Sequence, residues 1–219
     1  VRFSDYYSVS NKSDFNYSIR NYPVKNKLLL RPNWVLPVEI IDFNKRSSSR
    51  VLCVGRLEYQ KNFSYLIREL SDFNIEIDIV GRGQDLDKLK KIAKKSNVKV
   101  NFLGNMSNQN LLKLYSKYQI FISTSLFEGH PKTVLEAMSA GCVVVLSKIS
   151  NHEELVNNQE NGFLFELREK SLTKAFSKII KSKKLEVISS NAIKTTKENF
   201  SLNKVVEQEH LDYQRVSKL

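Results

Sequence analysis

Residues 51–70 read VLCVGRLEYQKNFSYLIREL. The first four, Val51, Leu52, Cys53 and Val54, form an unbroken apolar run with β-branched ends. Such a run marks a strand buried on both faces. Gly55 and a polar loop follow. Then Phe63, Leu66, Ile67 and Leu70 recur at helical spacing. The unit repeats along the chain. Apolar runs return at residues 75–80, 120–122 and 143–146, and residues 98–102 alternate as a shorter or edge strand. Helical patterns lie between them: Leu86, Leu89, Ile92 and Ala93; Leu111, Leu112, Leu114 and Tyr115; Val134, Leu135 and Met138. Strands alternating with helices predict an α/β fold, a parallel sheet flanked by helices with right-handed crossovers.

The flanks differ from this middle. Before residue 50 there is no glycine, while three of the four prolines occur there (Pro23, Pro32, Pro37). Ser47, Ser48 and Ser49 read as a linker into the first strand of the sheet. Beyond Phe165 the chain is helical and Lys-rich, with breaks near Lys183 and at residues 199–201.

The 219 residues are 41% hydrophobic, enough to bury a core, which excludes whole-chain disorder. No apolar run is long enough to span a membrane. The opening VRFSDYYSVSNKSD has no apolar core of a signal peptide, and the missing initiator Met reads as an excised or processed fragment. Cys53 and Cys142 sit in apolar runs and read as buried thiols of a cytosolic protein; no CxxC or HxxxH pair offers a zinc site. The net charge of +12 suits a nucleic acid, an anionic membrane surface or a phosphate-bearing small molecule. Lys scattered among Asn and Ser reads first as a solvated surface and second as a membrane-facing one; no nucleic-acid partner is expected.

Glycine placement narrows the choice. Of seven glycines, Gly55, Gly81, Gly83 and Gly104 fall just past strand ends, and Gly129 a few residues past another. Gly141 sits where a helix stops. Ligands of open parallel sheets bind at the carboxyl ends of the strands, although ordinary turn chemistry also favours glycine there. Gly81-Arg82-Gly83 opens a GxGxxG, but Leu86 occupies its third position, and no GxxxxGK[ST] exists. These failures argue against a dinucleotide enzyme and a P-loop NTPase.

Two loops carry anion chemistry. Arg56 and Lys61 precede a helix N-terminus, where cations and open N–H groups suit a phosphate; the plainer reading is two solvated basic side chains. The second loop, EGHPKTVLE (residues 128–136), is stronger. Pro131 is preset for a first helical turn. Gly129 lets the backbone approach a ligand. The N–H groups of Lys132, Thr133 and Val134 would face an anion. Glu128 and Glu136 can each accept hydrogen bonds from sugar hydroxyls. Phosphate donors between two carboxylates suit a nucleotide sugar.

Five stretches together resemble the C-terminal, donor-binding half of a family 4 (group 1) glycosyltransferase with the GT-B fold. They are VGRLEYQKN (54–62), IVGRGQDLDKL (79–89), VNFLGN (100–105), EGHPKTVLEAMSAG (128–141) and NGFLF (161–165). The resemblance implies a Rossmann-like domain over residues 37–199. Residues 1–36 would be a remnant of the first half and its crossover, and residues 200–219 a helix returning toward that half. It implies that Arg56 and Lys61 neutralise the diphosphate in place of a metal, so no cofactor is expected. It assigns Glu136 to the ribose hydroxyls and Glu128 to the transferred sugar. Backbone from Gly129 through His130, Pro131, Lys132 and Thr133 to Val134 would cradle sugar and phosphate. Gly55 belongs to the same loop edge, and Gly81, Arg82, Phe102, Leu103 and Gly104 would line the base site.

The implied reaction is retaining glycosyl transfer from a nucleoside diphosphate sugar, UDP first, to a glycan or lipid-linked acceptor in bacterial surface polysaccharide synthesis. It would take place in the cytoplasm, peripheral to the inner face of the membrane. The first half, with its acceptor site, would be missing, so this chain should bind donor and catalyse poorly. The competing reading is a module that binds a nucleotide or polyanion without transferring sugar. Intact Arg56, Lys61, Glu128 and Glu136 favour the enzyme. A hydrolase pair of Glu128 and Glu136 is disfavoured by the phosphate cradle between them. Asp85 and Asp87 open a Lys-rich helix and read as dipole charges rather than a metal motif. His130 and His152 are either catalytic or, for His130, cleft-lining.

Overall fold

The computed structural model describes residues 6–24, 27–96 and 98–216. Residues 1–5, 25–26 and 217–219, on which the expectations for the two ends of the chain partly rest, lie outside the described residues.

The chain opens with β1 (Tyr7–Val9), α1 (Lys12–Asn21) and β2 (Leu28–Leu30), and β1 and β2 pair in parallel as a small separate sheet. Strands and helices then alternate: β3 (Ser47–Val54), α2 (Phe63–Glu69), β4 (Glu76–Val80), α3 (Leu86–Lys95), β5 (Lys99–Gly104), α4 (Asn108–Tyr115), β6 (Tyr118–Ser123), α5 (Lys132–Ser139), β7 (Val143–Ser147), α6 (Ser150–Glu153) and β8 (Phe163–Phe165). Three helices close the chain: α7 (Ser171–Ile179), α8 (Leu185–Asn199) and α9 (Leu202–Val216). The main sheet has six strands in the order β5-β4-β3-β6-β7-β8, all parallel. The order reverses between β3 and β6, the place where ligands of doubly wound sheets bind.

The unbroken apolar strands are explained by two cores, one on each face. On one face Leu52, Phe121 and Val144 meet Leu111, Tyr115, Leu135, Met138 and Ala192 from α4, α5 and α8. On the other, Val51, Cys53, Ile77 and Ile122 meet Leu66, Leu89 and Phe176 from α2, α3 and α7. Both cysteines are free and buried. Asp78 is a fully buried carboxylate in β4. It accepts from the hydroxyl of Tyr118, from Arg50 at 2.8 Å and from Asn101 at 2.7 Å. Burial pushes its pKa up, but these three donors outweigh it and hold the group below its ordinary value.

One local expectation is corrected. The triple serine is no linker: Ser47 N–H donates to the Lys117 carbonyl at 2.9 Å, and β3 begins there, pairing with β6 through an irregular register. A neighbouring strand supplies the order that serines alone do not. The NGFLF stretch contributes a further strand, β8, whose Phe163 pairs with Val145 at the sheet edge.

Helix α5 carries the second anion loop at its start and is anchored at its end. Gly141 follows in a left-handed conformation, φ +77°. The buried Arg46 guanidinium donates to the carbonyls of Ala140 (2.9 Å) and Gly141 (2.6 Å) and to that of Ile41. Ser189 adds a bond to the Gly141 carbonyl. Arg46→Met keeps the stem volume but strands these acceptors. It should lower unfolding free energy by about 3 kcal/mol in urea titration, and a loss under about 1 kcal/mol would remove Arg46 from this role.

Candidate functional site

The carboxyl ends of β3, β4 and β5 are laced together by backbone. Gly55 N–H donates to the Val80 carbonyl (3.0 Å), Leu57 N–H to Arg82 (2.9 Å) and Gly81 N–H to Gly104 (2.8 Å). Gly81 has φ +143°, and a Cβ there would lie 1.9 Å from the Gly55 carbonyl oxygen, so only glycine fits. At Gly55 the free space is filled by Lys61, whose stem runs 2.9–3.1 Å from where a Cβ would be. At Gly129 the space is open, with no atom within 4 Å of a Cβ position. Arg82 is exposed at the same edge. Phe102 and Leu103 do not wall a pocket together. The β4–β5 register jumps from Ile79↔Phe102 to Val80↔Gly104, and Phe102 and Leu103 pack on opposite faces of the sheet. What they can jointly offer at this edge is backbone.

Across the reversal, the ammonium of Lys61 pairs with the carboxylate of Glu128. Their side chains are 15% and 9% exposed, so the pair is largely withdrawn from water. Ser125 Oγ donates to the same Glu128 oxygen at 2.6 Å. Gln60 stitches the two loops: its carbonyl accepts from Leu126 N–H (2.9 Å) and its Nε2 donates to the Phe127 carbonyl (2.8 Å). Thr124 Oγ1 donates to the Lys61 carbonyl at 2.8 Å. Behind this layer, Ser147 Oγ donates to the Ser125 carbonyl at 2.6 Å, and His152 Nδ1 meets the Ser147 carbonyl at 2.8 Å. His152 is fully buried, and burial lowers its pKa, so it supports the loop from behind as a neutral ring.

Arg56 is not drawn into this pair. Its side chain is 69% exposed and leans on Glu58 (3.3 Å) and Gln60 (3.4 Å), free to turn over the cleft.

Helix α5 brings its N-terminus to the same edge. Pro131 caps it with ψ 93°, outside the helix rather than in its first turn, and offers no side-chain acceptor to the N–H groups. The Val134 and Leu135 N–H groups turn back to the Pro131 carbonyl at 3.1 and 3.3 Å. Lys132 and Thr133 therefore hold the open donors, and Val134 N–H is taken by the helix, a correction to its expected role. Its side chain is core. Glu136 lies one turn in, 4% exposed, accepting from Asn108 Nδ2 (3.0 Å) and Tyr115 Oη (3.3 Å). Burial pushes its pKa up, against Asn108, Lys132 and Tyr115. His130 is anchored rather than free. Its Nδ1 accepts from Asn33 N–H (3.1 Å), its carbonyl accepts from Asn33 Nδ2 (2.6 Å), and burial lowers its pKa.

Sequence reading missed Asn33, Asn108, Tyr115 and Ser125. Their partners lie far along the chain, and only Ser125, three residues before Glu128, had a local signal. Asp85 and Asp87 open α3, and Asp85 lies 3.8 Å from Lys88.

Because folding raises the Glu136 pKa, the folded state binds that proton more readily than the unfolded chain. Stability at this site therefore falls as pH rises through the window between the two values. Glu136→Gln should be more stable than the parent at about pH 7 and converge with it at about pH 4. Urea titrations at the two pH values check this, and equal stability at the higher pH would contradict it.

The family model for glycosyl transferases group 1 matches residues 41–195. An uncharacterised glycosyltransferase of Methanocaldococcus jannaschii is 36% identical over 118 residues, 51% of this chain and 30% of that protein. The UDP-Gal:alpha-D-GlcNAc-diphosphoundecaprenol alpha-1,3-galactosyltransferase of Escherichia coli is 30% identical over 173 residues, 75% of this chain and 45% of that enzyme. This chain thus spans less than half the length of both relatives. A mutant of S. aureus TarM, solved with fondaparinux, alpha-GlcNAc-glycerol and UDP, shares the fold with a TM-score of 0.84 at 18% identity. The match covers 97% of this chain and 43% of that one. Matched over more than half its length, the chain belongs to the glycosyl transferases group 1 family, and its six-stranded parallel sheet is one half of a GT-B fold.

Proposed function

We propose that this chain carries the donor site of a retaining, metal-independent hexosyltransferase. It takes a nucleoside diphosphate sugar, a UDP-sugar first, and passes the sugar to a glycan or lipid-linked acceptor in surface polysaccharide synthesis. The Lys61–Glu128 pair at the strand-order reversal, beside the open N-terminus of α5, carries this reading. The name of the E. coli relative specifies UDP-Gal and a diphosphoundecaprenol-linked acceptor, which supports both the base and the acceptor class.

In this reading the base lies along the backbone of Gly81, Arg82 and Gly104. Glu136 and Asn108 hold the ribose. The N–H groups of Lys132 and Thr133, with Lys61 and Arg56, take the diphosphate. Glu128 turns its second oxygen to the sugar. The bond between the anomeric carbon and the phosphate oxygen breaks. The acceptor hydroxyl oxygen bonds to that carbon on the same face, and its proton passes to the departing phosphate oxygen. Fixed donors aimed at that oxygen supply the main stabilisation. The acceptor site belongs to the other half of the fold, so this chain alone binds donor and turns over little. A lipid-linked acceptor places the work at the inner membrane surface, where a net charge of +12 is attracted to anionic headgroups. No helix among the described residues is long and apolar enough to cross a membrane.

Calorimetric titration with UDP, GDP and ADP, without added metal, tests the reading. UDP should bind selectively, Glu136→Ala should lose binding, and Lys61→Gln should weaken it about tenfold. Failure of every diphosphate, with binding to anionic vesicles or nucleic acid instead, would replace it with the polyanion-binding module.

A further inference from the structure

Cations around the start of α5 differ in how much of their charge is left for a ligand. Lys61 is neutralised by Glu128, and Arg56 leans on Glu58. Lys132 is different. Among the described residues no carboxylate pairs with it, and its ammonium rests 4.8 Å from the centre of the Trp34 ring. It stands at the first helical position of α5, one turn above Glu136 on the same face, close enough to pull the Glu136 pKa down. Its side chain thus leaves the helix from a residue whose own N–H is proposed for phosphate, one turn before the carboxylate proposed for the ribose.

We infer that the Lys132 side chain is the cation for the phosphate next to the ribose, stored on Trp34 until a nucleotide arrives. This rests on the donor-site reading above and adds a third side-chain cation to Lys61 and Arg56, from a residue that reading used only through its backbone N–H. A cation over an indole is held more weakly than one bonded to a phosphate oxygen, so the ammonium leaves the ring for the ligand. Trp34 cannot follow it. Asn33 on one side is bonded to His130 through both its N–H and its Nδ2. Val35 on the other is buried, with its N–H donating to the Phe200 carbonyl at 2.9 Å. The backbone of Trp34 is clamped on both flanks, so the pair separates instead of moving together.

Trp34 is the only tryptophan in the chain, so its emission reports on this contact directly. UDP and UMP are titrated into the chain, Lys132→Gln and Trp34→Phe, with calorimetry and fluorescence in parallel. Saturating UDP should shift the emission of the parent chain and leave that of Lys132→Gln unmoved. Lys132→Gln should bind both UDP and UMP about tenfold more weakly, with an unchanged melting temperature. Trp34→Phe, which keeps an aromatic ring, should stay within about threefold of the parent. Parental affinity in Lys132→Gln, or emission of the parent chain that does not change at saturation, overturns the inference and leaves the donor reading standing. A parent chain that binds none of UDP, GDP and ADP by calorimetry overturns both.

Discussion

Lys61 and Glu128 come from loops on opposite sides of the point where strand order reverses, and their contact joins the two loops above the paired strands β3 and β6. A carboxylate this far withdrawn from water is tolerable only with a cation and further donors on it. Much of the surrounding structure serves that requirement. Gly55 has no side chain because the Lys61 stem occupies the space. Thr124 holds the Lys61 backbone, Ser125 donates to Glu128, and Gln60 ties the loops together. Ser147 and His152 form a second layer behind them. The pair is close to neutral as a unit, so it sets shape more than charge. The positive field at the cleft then depends on the open N–H groups of α5 and on cations that no buried carboxylate has claimed.

The same loop is gripped from the other side by the N-terminal segment. Asn33 brackets His130 with two hydrogen bonds, Asn11 reaches the Gly129 carbonyl at 3.5 Å, and Trp34 lies under Lys132. Glu154, just beyond α6, accepts from the first N–H groups of α1 at 2.9 and 3.0 Å, a carboxylate at a helix N-terminus. Arg31 ties the segment onward to Asp212 of α9. The β1-α1-β2 unit and the segment that follows it are therefore tied to the loop before α5 through Asn11, Asn33 and Trp34.

Several features of the site and the fold were legible because their causes are local. VLCV announces a doubly buried strand because all four of its side chains are apolar. Gly141 announces a helix end because the left-handed turn it makes needs no distant partner. Glu128 and Glu136 could be singled out because one short segment places both around a helix start. Errors arose where a neighbour decides. Ser47 becomes strand only because β6 lies alongside it. Asp78 survives inside an apolar strand only because Arg50, Asn101 and Tyr118 come from three other strands to meet it. Val134 is lost as a donor because the first turn tightens, and its N–H closes an i→i−3 bond to the Pro131 carbonyl.

Residue types and spacing along the chain thus determined the α/β alternation, the strand ends where glycines gather, and the helix starts beside Arg56, Lys61, Glu128 and Glu136. They act through contacts within a turn or two, where period and capping are set by backbone geometry. The working state of each group was decided by folding. Lys61 meets a partner 67 residues away, Glu136 one 21 away and His130 one 97 away. Nothing local specifies such pairings. They form only when the sheet order brings β3 beside β6 and the N-terminal segment against α5. Whether a cation at this cleft is spent or available is therefore a property of the packed fold.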